Sequence, residues 1–156
     1  MPRKKDGRSR KEFVSQRKRL PNDRESLTHK FTIYTNEGEL DGYLTVGFYE
    51  DGSPGEIFIR VAKIGSLVQG LLSIIAMSVS VSLQHGVPLQ VFVDKYTHQK
   101  FEPCGMTSNP EIPFAKSLPD YIFQWLGQKF CGLPPRRQID ESMQMETTTF
   151  PDIGNQ

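Results

Sequence analysis

Two thiols, three imidazoles and a scatter of carboxylates are what this 156-residue chain offers to chemistry. Cys104 and Cys131 stand 27 positions apart. Neither belongs to a Cys-x-x-Cys pair of the kind that shuttles electrons by thiolate–disulfide exchange. His29, His85 and His98 could join the thiols as metal ligands, but no pair among them has the short spacing of a structural zinc site. They read instead as hydrogen-bonded or surface histidines. Cys131, beside an expected helix end, reads as a small residue at rest rather than a nucleophile. Gly38, Gly42 and Gly47 fit turns and strands, not a phosphate-binding loop. That leaves Glu102 and Pro103 in a stretch dense in proline and glycine, where binding residues concentrate. Together with Asp120 they are the candidate partner contact; no residue is assigned a catalytic, cofactor-binding or metal role.

The elements that would carry these residues follow from periodicity. His29, Phe31 and Ile33 alternate with Lys30, Thr32 and Tyr34, the period of a strand. Leu44, Val46 and Phe48 give a second strand one apolar face, and residues 56–61 form a third after the turn signal Asp51-Gly52-Ser53-Pro54-Gly55. Residues 64–85 run too long for a strand in a small sheet and end at Gly86 and Pro88, so they are assigned to a helix. Its buried side is expected at Leu67, Leu71, Ile74, Ile75 and Val79, with a second stripe of mostly small groups at Ser66, Gly70, Ser73, Met77 and Ser80. Pro88 can open a short helix with Val91, Phe92 and Tyr96 inward. A final amphipathic helix reaches Phe130, with its cap near Ser117 or Leu118 because Pro119 interrupts its start. The expected fold is α+β: a three-stranded antiparallel sheet packed against a long helix, a short helix and a C-terminal amphipathic helix.

Charge divides the chain. Residues 1–25 hold ten Lys/Arg against four Asp/Glu, net +6, and the rest holds nine against fourteen, net −5. The expected organisation is a flexible basic arm at 1–26, a domain at 27–131 and a loose polar tail at 132–156. Two cysteines and no charged-then-apolar leader favour a reducing cytoplasm. Serines and Gln69 interrupt the apolar stretch 66–83, which argues against a membrane span.

Several blocks carry a resemblance. Arg19-Leu20-Pro21-Asn22-Asp23-Arg24, Gly42-Tyr43-Leu44-Thr45-Val46-Gly47, Glu50-Asp51-Gly52-Ser53-Pro54-Gly55 and Asn109-Pro110-Glu111-Ile112-Pro113 occur in an order similar to the C-terminal accessory domain of adenosylcobalamin-dependent ribonucleotide reductases. That region is the TSCPD domain, after a Thr-Ser-Cys-Pro-Asp motif. The matching stretch is Lys116-Ser117-Leu118-Pro119-Asp120, with leucine in place of cysteine. The resemblance implies a free-standing accessory or regulatory module in deoxyribonucleotide supply, acting by binding a reductase chain. The family's enzymes use adenosylcobalamin, a radical cysteine and further cysteine pairs within a large barrel. This chain has too few thiols and too little length for them, so no activity and no bound cofactor are expected of it alone. A nucleic-acid-binding module, gripping phosphates through residues 1–25, is the other reading; the acidic balance of the remainder argues against it.

Overall fold

The computed structural model describes residues 15–136, which form eight elements. Strands β1 (Ser26–Thr35), β2 (Gly38–Phe48) and β3 (Pro54–Val61) make the expected antiparallel meander. Helices α1 (Ser66–Gln84) and α2 (Leu89–Tyr96) follow. Two short strands, β4 (Gly105–Thr107) and β5 (Phe114–Ala115), precede helix α3 (Leu118–Phe130). The sheet therefore has five strands, in the order β3-β2-β1-β4-β5, rather than three. The added strands are three and two residues long, too short to print a period of two on a sequence rich in proline.

The alternation in β1–β3 sorts their side chains cleanly. Phe31, Ile33, Leu44, Val46, Ile57 and Ile59 point to one face and are buried. The helices cover that face: the Tyr121 ring of α3 stacks on Phe31 with centroids 4.5 Å apart, and α2 lies on α3. Gly127 is the point of closest approach, since a Cβ there would meet Leu133 and Val93 of α2.

Helix α1 runs along β3, which is an edge of the sheet. An edge strand presents unpaired backbone groups, and here side chains of α1 satisfy them. Ser80 Oγ accepts from the Ile57 amide (2.9 Å), and Gln69 accepts from the Val61 amide while donating to the Ile59 carbonyl (both 2.9 Å). Gln84 donates to the Gly55 carbonyl at 3.0 Å. These bonds fix which side of α1 faces inward. The buried residues are Leu72, Ala76, Val79, Ser80 and Gln84, so the expected inward stripe of Leu67, Leu71 and Ile74 faces solvent instead. In α2 the buried pair is likewise Leu89 and Val93, with Val91 exposed.

Residues flanking the expected domain at both ends make contacts with it. Of the expected flexible arm, residues 15–26 are held: the Lys18 amide donates to the Gln84 carbonyl (2.8 Å), Arg17 to the Gln84 side chain (2.7 Å), and Arg24 pairs with Glu56. The arm's residues 1–14 lie outside the described residues. At the other end Leu133 packs on the core and Arg136 is tied to α3, while 137–156 of the expected tail lie outside the described residues.

Candidate functional site

The stretch Lys116-Ser117-Leu118-Pro119-Asp120 starts α3. Ser117 is the N-cap, accepting from the Asp120 amide at 3.1 Å, and Pro119 sits in the first turn where no amide is needed. Leu118 fills the core. Asp120, expected as a partner contact, is fully buried and already engaged. Its carboxylate accepts from the amides of His98 (2.6 Å) and Lys116 (2.8 Å) and takes a two-pronged bond from Arg136 (both 2.8 Å). Burial alone would raise this carboxyl, but Arg136 and the two amides outweigh it and hold it below the ordinary carboxylate range. His98 itself adopts a left-handed backbone (φ 69°), a conformation few non-glycine residues take; the Asp120 bond to its amide is one of the contacts that hold it there. The motif is a structural knot that joins the α2–β4 loop, the start of α3 and the residues beyond its end.

A second cluster has the look of chemistry without its exposure. His29 Nε2 lies 2.9 Å from the Tyr121 hydroxyl, which also accepts from Asn109 at 3.1 Å. The imidazole stacks on Trp125 with centroids 4.5 Å apart. Burial pushes the Tyr121 phenol up to about 12, and burial with a nearby Lys129 holds His29 below its usual value. A neutral imidazole beneath an indole, bonded to a phenol that stays protonated, is packing rather than an acid–base pair. Among the described residues no group of three or more His, Cys, Asp and Glu is arranged to hold a metal ion. Cys104 and Cys131 are unpaired, and burial followed by Asp94 raises the Cys131 thiol.

What remains is surface. Glu102 is exposed, and with Pro103 and Cys104 it lines one wall of an open cleft of about 570 Å³. Gly65 and Val68, at the start of α1, line the other wall. Onward from this wall runs the outer side of α1. Leu67, Leu71, Ile74 and Met77 are 73%, 51%, 60% and 66% exposed, and the helix contains no charged residue. A surface helix of a monomer ordinarily carries charge on its solvent side, and the outer side of α1 departs from that pattern. The absence of Lys, Arg, Asp and Glu from residues 66–84 is the sequence signal that identifies it.

The TSCPD domain model matches residues 13–130, the meander, α1, α2 and the Ser117–Asp120 knot together. The chain belongs to the TSCPD domain family. Its relatives are long enzymes. It is 51% identical over 120 residues to the vitamin B12-dependent ribonucleotide reductase of Rhodopirellula baltica, covering 77% of this chain and 11% of that one. It is 42% identical over 128 residues to the protein of that name in Streptomyces avermitilis (82% and 13%) and 38% identical over 128 residues to that of Agrobacterium fabrum (81% and 10%). This TSCPD domain thus spans about a tenth to a quarter of the length of the relatives it matches. No solved structure matches the chain.

Proposed function

We propose that this TSCPD domain is an accessory module of vitamin B12-dependent ribonucleotide reduction that works by docking on a reductase chain. The observation that carries the reading is the outer side of α1. In a relative of ten times the matched length, that uncharged apolar side has a large body of protein available to cover it. Leu71 and Ile74 would form the centre of the contact, and Glu102 with Pro103, across the adjoining cleft, its polar rim. Asp120 belongs to the knot behind the contact and takes no direct part.

The reduction itself belongs to the reductase body. Vitamin B12, which the relatives' names contain, does not fit the described residues: His29 stacks on Trp125 with its Nε2 against the Tyr121 hydroxyl, and no histidine lines either of the two open clefts. Cys104 and Cys131 are two thiols where a radical cysteine and an electron-donating pair would need three. Two unpaired thiols also suit a reducing cytoplasm.

Co-expression tests the docking directly. A reductase chain whose own copy of this domain has been deleted should co-purify with the tagged protein through size exclusion. Failure of the two purified chains to form a complex would end the reading.

A further inference from the structure

Among the described residues the helices cover one face of the sheet and none covers the other. On that open face the register places Lys30, Tyr43 and Arg60 opposite one another in a row across β1, β2 and β3. The next row is Thr28, Thr45 and Phe58. Tyr43 and Phe58 are 42% and 52% exposed, and Lys30 and Arg60 are exposed beside them. Lys30 Nζ already lies 5.9 Å from the Tyr43 ring centre. Two half-exposed rings on adjacent strands, diagonal neighbours about 7–8 Å apart, are spaced to take two successive unstacked bases. A cation stands on either side of Tyr43, where the backbone of such a strand would run.

We propose that this open face is a stacking platform for single-stranded nucleic acid. Charge placement supports that occupant. Of the acidic groups of the face, Glu56 pairs with Arg24 and Glu39 stands opposite Tyr34 near the far end of β1, while Asp41, one row from Tyr43, keeps its charge and accepts from Thr32 at 2.7 Å. The two cations beside the rings have no carboxylate partner among the described residues and are free to meet phosphates. Rings supply sequence-tolerant affinity and the lysine and arginine supply its salt dependence. A protein partner would be served by an uncharged surface of the kind α1 presents; alternating rings and cations suit bases and phosphates. This face is separate from the α1 contact, so either proposal can fail without the other.

The test is fluorescence anisotropy of the full chain with a labelled oligothymidylate of about ten nucleotides at low salt. Tyr43→Thr and Phe58→Thr, which keep strand propensity, should each weaken binding about tenfold with an unchanged melting temperature. Lys30→Ala and Arg60→Ala should each reduce the slope of log affinity against log salt by about 0.7. Ile74→Glu, on the outer side of α1 and off the strands of the platform, should leave oligonucleotide binding intact. The proposal is overturned if the parent does not bind, if a duplex of equal length binds as well, or if loss of the rings changes nothing. It is equally overturned if binding disappears only on deletion of residues 2–14, because the basic N-terminal arm then carries it alone.

Discussion

Helices α1 and α3 reverse the usual relation between composition and burial. Helix α1 has no charged residue and is apolar enough over its length to satisfy a membrane-span criterion, yet only 22% of that stretch is buried. Helix α3 contains Asp120, Gln124 and Lys129, and every residue from Tyr121 to Gly127 is buried. The difference lies in partners. Asp120 and Gln124 of α3 are met by Arg136, by loop amides and by the Ser117 cap, so burying them costs little, whereas Gln128 Oε1 is buried without a partner among the described residues. The polar groups of α1 are met by β3, by Arg17 and Lys18 at its C-terminal end and by its own carbonyls, and nothing in the described residues covers Leu67, Leu71, Ile74 and Met77. Burial follows satisfied neighbours rather than apolar composition.

The largest effect is expected where α3 depends on its charge pair. Asp120→Ala strands the nearly buried Arg136 guanidinium and two amides, and breaking such a pair costs about 3–5 kcal/mol. Against a typical stability of about 5–15 kcal/mol, the variant should be marginal or unfolded in urea denaturation. A loss under about 1 kcal/mol would mean that the knot does not hold α3. The corresponding change in α1 is smaller. Ser80→Ala leaves the Ile57 amide on the β3 edge without its acceptor, at about 1–3 kcal/mol. If Ser80→Ala proved neutral by the same measurement, the Ser80 bond would not hold α1 on the β3 edge, and Gln69 and Gln84 would have to fix its orientation without it.

How far these helices were legible in the sequence follows the same division. The start of α3 could be read from Ser117 and Pro119 because capping is local. The burial of Asp120 could not, since Arg136 lies sixteen positions later and outside the expected domain. For α1 the helical state was readable from length and its Gly86 stop, but not its inward side. Hydrophobic period alone favours the Leu67–Leu71–Ile74 stripe, and only knowledge that β3 is an edge strand assigns Gln69, Ser80 and Gln84 to the inside. Strands β1–β3 were plain from alternation, while β4 and β5 exist only by pairing with β1 and with each other. The cleft residues Glu102 and Pro103 were readable as loop; that they face the start of α1 required the fold.

A smaller effect separates the helices by pH. His29, packed against α3, and His98 are both held below their usual values, mainly by burial. The unfolded chain therefore binds protons there more readily than the folded one. Their contribution to stability is complete above about pH 6.5 and declines as pH falls below it. The Asp120 carboxyl, also lowered, acts in the same direction in a more acidic window: its contribution is present above about pH 3.9 and disappears as pH drops through its lower folded value. Melting temperature should thus fall between pH 7 and 5, and His29→Phe, which keeps a ring against Trp125, should flatten that fall. An unchanged slope in His29→Phe would assign it to other groups. No such dependence attaches to α1, which carries no titratable side chain.

The outer side of α1 carries the proposed docking, and isothermal titration measures it directly. A reductase chain lacking its own TSCPD domain is titrated into the parent protein, into Ile74→Glu and into Glu102→Ala, after thermal unfolding of each. Both side chains are exposed, so each variant should keep its stability within about 0.5 kcal/mol. The parent should bind. Ile74→Glu, at the centre of the apolar side, should weaken binding by at least about tenfold, equivalent to about 1.4 kcal/mol, and Glu102→Ala at the rim by less. A parent that binds no reductase, or an Ile74→Glu variant that binds as the parent does, would contradict the claim that this uncovered helix is a docking surface.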